Sequence, residues 1–167
     1  MGTKAKTWTD KMKAAPPHVV VLDKAFAGVP AGARLLISNP REIEAYLREQ
    51  VPRGKTLSIQ QLRRDLAAHH GADAACPVST SIFLRTVAEH AWDQVEAGAP
   101  LSEVAPFWRV VEPTSPLARK LRADPAWITL QRELEQGPLA SSNATDKPRL
   151  QGQGGPSASS SVRTTKR

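Results

Sequence analysis

Residues 79–96 read Ser79-Thr-Ser-Ile-Phe-Leu-Arg-Thr-Val-Ala-Glu-His-Ala-Trp-Asp-Gln-Val-Glu96 and are closed by Gly98. Phe83, Val87, Ala91 and Val95 recur every four residues, so one side of this stretch is apolar and the spacing predicts a helix from Ser79 to Glu96. Ser58 can cap an earlier helix that carries Ile59, Leu62 and Leu66 on one face and ends near Gly71. Before that, Asn39-Pro40 supplies a cap and a proline at the first helical position, and Ile43, Tyr46 and Leu47 fall at helical spacing. Pro52-Arg-Gly54 stops that helix. Further upstream, His18-Val-Val-Val-Leu22 and Ala33-Arg-Leu-Leu-Ile-Ser38 are β-prone, and they either pair as a hairpin or flank an extended loop. Downstream, Pro106-Phe-Trp-Arg-Val-Val111 reads as an extended, half-buried segment, and Ser115-Pro116 opens a short helix. Asp124-Pro125 opens the last helix, with Trp127, Leu130 and Leu134 facing inward and Gly137 as its stop. The fold class expected is mainly α with a small β component. Two successive helices followed by a short extended element suit a helix-turn-helix or winged-helix arrangement.

A chain of 167 residues holds one ordinary domain plus tails. The division expected is a basic flexible N-terminal arm (1–15), a short β-prone segment (16–38), a helical domain (39–136) and a disordered basic tail rich in Ser and Gly (137–167). Hydrophobic residues make up 40% and aromatic ones only 5%, which leaves most of the packing to aliphatic side chains. No apolar run approaches the roughly 20 residues that cross a bilayer, so no membrane association is expected. The basic start is not followed by an apolar signal core, and a cytoplasmic location is expected. Cys76 is the single cysteine, which excludes an internal disulfide and a multi-cysteine zinc site. His69-His70 lack further ligands at metal-binding spacing, and neither a metal nor another cofactor is expected.

The net charge of +7 is unevenly placed. Residues 1–15 hold four lysines and one aspartate, residues 136–167 hold five basic groups and Asp146, and the middle holds 14 basic and 14 acidic residues. Basic tails attract any polyanion and also raise solubility with no partner, so composition permits nucleic-acid binding without requiring it.

Four segments in order resemble the DNA-binding domain of the alkylguanine-DNA alkyltransferases, the methylated-DNA-protein cysteine methyltransferases. Pro52-Arg-Gly-Lys-Thr-Leu-Ser-Ile-Gln-Gln-Leu62 is similar to the family's P-x-G-x-x-x-[ST]-Y-x-x-[LI], and Arg85-Thr-Val-Ala88 to its R-A-V-G. Pro106-Phe-Trp-Arg-Val-Val111 is similar to the active-site signature P-C-H-R-V-V, and the helix through Trp127 and Glu135 stands where the family has its final helix. Residues 68–80 and 95–104 are longer than the corresponding loops. The resemblance implies a winged-helix domain that binds duplex DNA, with the helix at 79–96 entering the minor groove.

The departures bear on the chemistry. The family's nucleophilic cysteine and its histidine correspond to Phe107 and Trp108, neither of which ionises, so alkyl transfer at this site has no nucleophile and no base. The tyrosine that helps turn out the target nucleotide corresponds to Ile59. The closest likeness is therefore to the alkyltransferase-like proteins that lack the cysteine. Phe107 and Trp108 either fill the vacated pocket or stack on a flipped base. Arg109 matches an arginine that braces the active-site loop, and Arg85 matches the one that fills the gap left by a flipped nucleotide. Arg53, Lys55, Arg63 and Arg64 are candidate phosphate contacts, with Asp65 reducing the local charge. Ser79, Thr80 and Ser81 either hold a phosphate at a helix start or cap the helix.

Three functions follow from this reading. The first is a non-catalytic DNA-binding protein that recognises alkylated or flipped bases in repair or regulation. The second is a protein-interaction module on the same fold. The third is an enzyme whose chemistry uses Cys76.

Overall fold

Small polar residues and prolines set where the helices begin. In the computed structural model, which describes residue 2 and residues 4–137, Asn39 Oδ1 accepts the Glu42 N–H at 2.8 Å and starts helix α2, Pro40–Gln50. Ser58 Oγ accepts the Gln61 N–H at 3.1 Å and starts α3, Ile59–His69. Asp124 Oδ1 accepts the Ala126 N–H at 2.7 Å and starts α5, Pro125–Gln136. Each cap satisfies a backbone donor that the first helical turn leaves unpaired. Helix α4 spans Pro77–Glu96, two residues longer at its start than the apolar spacing predicts. Pro77 takes the first helical position, and Cys76 becomes the cap, its Sγ accepting the Ser79 N–H at 3.5 Å.

The protein is mainly helical with one small sheet. The two β-prone runs pair: β1, His18–Val21, lies antiparallel to β2, Arg34–Ile37. A third short strand, β3 (Ala74–Ala75), joins parallel to β2 through a crossover containing α2 and α3. Because β3 lies between α3 and α4, the link between those helices runs through residues 70–76, longer than the three or four residues of a tight helix-turn-helix connection.

Aliphatic side chains make up most of the buried core, as composition predicts, but its largest members are aromatic. Phe107, Trp108 and Trp127 form one aromatic cluster with ring centroids 5.5–5.9 Å apart, and Trp92 meets Trp127 edge-on at 5.0 Å. Such offset and edge-on contacts add to the burial of large apolar area. Around the cluster pack Ile43, Leu47, Leu62, Leu66, Leu84, Val87 and Ile128 from all four long helices. A few aromatic residues thus suffice when three elements bring them to one point.

Three local expectations are corrected. First, residues 1–15 are not a free arm throughout. Trp8–Lys11 forms a short helix, α1, closed by a Thr7–Asp10 capping box, and Met12 behind it is buried in the core. Second, residues 106–111 are not extended. Phe107–Arg109 is a single 3-10 turn in which the Val110 and Val111 N–H groups both donate to the Phe107 carbonyl. An extended segment alternates its side chains between two faces, whereas Phe107, Trp108, Val110 and Val111 are all buried, and only a turn achieves that. Third, Leu130 and Leu134 face outward on α5. Trp127 and Ile128 face inward, and the helix is rotated so that Arg132 and Glu135 reach the 106–112 segment. The basic tail expected from residue 137 onward lies outside the described residues apart from Gly137.

One buried charge needs a specific partner. Glu89 on α4 is almost fully enclosed, and the Arg122 guanidinium meets it at 2.7 Å, while the Arg122 N–H donates to its second oxygen at 3.1 Å. Asp93 and Glu96 complete the acidic side of this contact at 2.5 and 3.1 Å. Removing one partner strands the other charge. Arg122→Ala is expected to destabilise the fold by about 3 kcal/mol, the low end for a buried pair because Arg122 keeps one edge in water. Urea denaturation measures this, and Glu89→Met combined with Arg122→Met is expected to lose less than Arg122→Ala alone.

Candidate nucleic-acid interface

Helix α4 is enclosed over most of its length. Thr80, Leu84, Val87, Ala88 and Ala91 face the core; Thr86 lies under the N-terminal segment, and Glu89 under Arg122. What remains open is the outer side of its first turns, where Val78 and Ile82 are 50% and 56% exposed and Ser79, Ser81 and Arg85 are half-buried. An exposed helix start flanked by an arginine is a surface that can enter a groove of DNA.

The candidate residues divide into those at this surface and those away from it. Arg85 points toward the N-terminal segment: its guanidinium carbon lies 5.7 Å from the centre of the Trp8 ring. Its Nε is buried, with no hydrogen-bond partner among the described residues. Arg63 reaches from α3 to the start of α4, where its Nε donates to the Ala75 carbonyl at 3.2 Å. Arg64 is exposed and donates to Gln61. Asp65 is engaged by Tyr46 Oη at 2.5 Å and Gln61 Nε2 at 2.6 Å, on the side of α3 that faces α2. Burial of Tyr46 and its bond to that carboxylate raise the phenol's pKa.

Thr80 is corrected as a phosphate contact. It is fully buried, and its hydroxyl donates to the Cys76 carbonyl at 2.7 Å. Ser79 Oγ also turns back to that carbonyl, at 3.4 Å, so the hydroxyls serve the helix start. Arg53 and Lys55 lie on the loop after α2, and Gly54 between them donates its N–H to Glu135 Oε2 at 3.3 Å. Gly54 has φ +82°, a backbone region that disfavours side chains, which explains the glycine of the P-x-G motif.

The position of Phe107 and Trp108 is filled by their own rings. Phe107 is 0% and Trp108 2% exposed, so neither offers a face for a flipped base to stack on, and Ile59 is half-buried against the same core. Arg109 ties three segments together. Its Nε and Nη2 donate to the Glu135 carboxylate at 2.8–3.1 Å, and its Nη1 caps the end of α2 through the Val51 carbonyl at 2.8 Å. Glu135 also accepts Trp108 Nε1 at 2.9 Å. Arg132 reinforces the loop from the same helix, donating to the carbonyls of Trp108 and Val111. Sequence reasoning found Arg109 through the motif but missed Arg132, and it noted Glu135 without a role. An arginine and a glutamate four or fewer residues apart on a C-terminal helix read as surface charges until their partners are known.

Cys76 is buried, with its sulfur used as the α4 cap. His70 pairs with Glu42 across α2 and α3. Among the described residues no group of three or more His, Cys, Asp or Glu is placed to hold a metal, and no helix is long and apolar enough to cross a membrane. The groove between α2 and α3, about 410 Å³, is lined by Glu42, Glu49 and Asp65 and is unsuited to a polyanion.

Burial raises the Glu135 pKa, but the bonds from Arg109, Trp108 and Gly54 outweigh it and hold the carboxyl below its ordinary value of 4.5. The unfolded chain therefore takes up this proton at a higher pH than the folded one. The contribution is complete above pH 4.5 and is lost as pH falls through the folded value. Glu135→Gln is expected to melt below the wild type at pH 7, with the gap closing in the acid range; melting curves between about pH 3 and pH 7 check this.

Comparison with family models, with curated proteins and with solved structures found no match for this chain.

Proposed function

We propose that this protein binds duplex DNA without catalysing alkyl transfer, in the manner of the alkyltransferase-like proteins. The carrying observation is the open start of α4, where Val78 and Ile82 are exposed on an otherwise enclosed helix, half-buried Ser81 and Arg85 stand beside them, and Arg63 reaches the same end from α3. Apolar side chains beside an arginine suit a minor groove, where they can wedge between base steps. The helix-turn-helix or winged-helix class is part of the same reading, with α3 crossing the backbone and α4 in the groove. Phe107 and Trp108 support the absence of transfer: the sites of nucleophile and base hold buried aromatic rings. Recognition of an alkylated base would then act through groove shape and ease of unstacking rather than through a reactive pocket.

A second reading is a protein-interaction module. Leu130 and Leu134 on α5 are exposed one helical turn apart, and Val78 and Ile82 on α4 are as well, which is the spacing of a helix face that docks a partner. The Cys76 enzyme is disfavoured by its buried, capping thiol. Cys76 is accordingly expected to react with a thiol reagent in the native protein much more slowly than in the denatured one, a ratio measured by reagent absorbance; equal rates would revive the enzyme reading.

Binding to duplexes with and without an alkylguanine, at moderate salt, tests the main proposal. Arg85→Ala is expected to weaken binding about tenfold or more, in line with one lost groove contact of about 1–3 kcal/mol. Should neither protein bind either duplex, the interaction module replaces it.

A further inference from the structure

Three of the four lysines of the N-terminal segment, Lys6, Lys11 and Lys13, stand alongside the helix assigned to the groove. Met12 anchors the segment in the core, and α1 packs along α4, with Thr9 Oγ1 3.4 Å from His90 Nδ1. Two cations lie over the Trp8 ring: Lys11 Nζ sits 3.8 Å from the ring centre, and the Arg85 guanidinium carbon 5.7 Å. Two cations sharing one indole fix α1 relative to Arg85.

The charge around α1 is mostly positive. Lys4, Lys6, Lys11, Lys13 and Arg41 are exposed there, next to half-buried Arg85. Among the described residues, Asp10 and Glu44 are the acids that line the cavities there, and each has a hydrogen-bonding partner. Asp10 accepts the Thr7 backbone and hydroxyl at 3.2 and 2.8 Å, and Glu44 is bridged by Arg48 at 3.2 Å. Lys13 is 3.8 Å from Asp10, an exposed contact too weak to withdraw it. A shallow cavity of about 260 Å³ between α1 and α4 is rimmed by Lys6, Lys11 and Lys13 together with Asp10, and floored by Ile82, Phe83 and Thr86. Three lysines against one aspartate over a largely apolar floor, sharing Ile82 with the open start of α4, leave a net positive rim that suits a sugar-phosphate backbone running alongside a groove-bound helix.

We infer that residues 4–13 form a docked second contact element, which grips the phosphate backbone of duplex DNA beside α4 through Lys6, Lys11 and Lys13. This rests on the duplex-binding reading above. It assigns a bound position to charge that would otherwise act as a nonspecific tail, and it gives Trp8 the task of holding that charge in register with Arg85.

The test compares the full chain with Lys6→Ala/Lys11→Ala/Lys13→Ala, Trp8→Ala and Arg85→Ala for binding to one unmodified duplex from 50 to 200 mM salt. Circular dichroism and melting show which variants remain folded. Each phosphate contact adds about 0.9 to the salt slope, so the triple variant should have a slope shallower by about 2.7. Its affinity should fall about forty-fold less than that of the wild type across this range. Trp8→Ala keeps every charge but loosens the segment, and it should bind more weakly than wild type. A triple variant with wild-type slope, or a Trp8→Ala protein with wild-type affinity, overturns the inference while leaving duplex binding intact. An increase in affinity in either variant also overturns it, because the segment would then be masking α4. If Arg85→Ala binds as wild type while the triple variant weakens, the docked segment stands and the groove role of Arg85 falls. If the wild type binds no duplex, both fall.

Discussion

The Arg109–Glu135 ion pair is the tie on which the arrangement of this fold depends. Both side chains are largely enclosed, 14% and 10% exposed, and the guanidinium spans the Glu135 carboxylate and the last carbonyl of α2. Glu135 in turn takes the Trp108 indole N–H and the Gly54 amide. One residue pair thus fixes the end of α2, the P-x-G loop, the 107–109 turn and the final helix. Most of the hydrogen-bonding capacity of both ions is used, the condition under which burying charge is tolerable. The same contacts turn α5 so that Leu130 and Leu134 face water, an orientation the apolar pattern alone would not select.

With that tie in place, an aromatic cluster closes the core around the 107–109 turn. Phe107 and Trp108 are there because the tight turn sends consecutive side chains inward, and Trp127 and Trp92 meet them from α5 and α4. At that point the chain presents packed side chains without an ionisable group, and the surface proposed to bind DNA lies instead on the outside of α4.

That outside is narrow. The core, the N-terminal segment and Arg122 cover α4 from three directions and leave its first turns open. The link through β3 holds this end in place, since Cys76 both donates its amide to the Leu36 carbonyl and caps the helix. The hydroxyls of Ser79 and Thr80 are spent on the same start. The proposed interface is thus assembled from whatever the packing does not consume: Ile82, Ser81, Arg85 and the lysines brought alongside.

The helices were legible in the sequence because their signals are local. Asn39, Ser58 and Asp124 bond donors two or three residues away, Pro and Gly restrict their own backbone, and the apolar spacing of α2 and α3 repeats within a few turns. The two β-prone runs were legible for the same reason, though not the third strand, whose two alanines become a strand only beside β2. The tertiary structure decided everything that depends on a distant partner. Residues 107–109 became a turn because four of their neighbourhood's side chains had to be buried together, and Trp8–Lys11 became a docked helix because α4 offered it a surface. Arg109, Glu135, Arg122 and Glu89 look alike as letters, and only their burial and pairing separate them from solvated charges. Local bonds are written in neighbouring residues, whereas the energy of a buried charge or a packed ring depends on what the rest of the chain places around it.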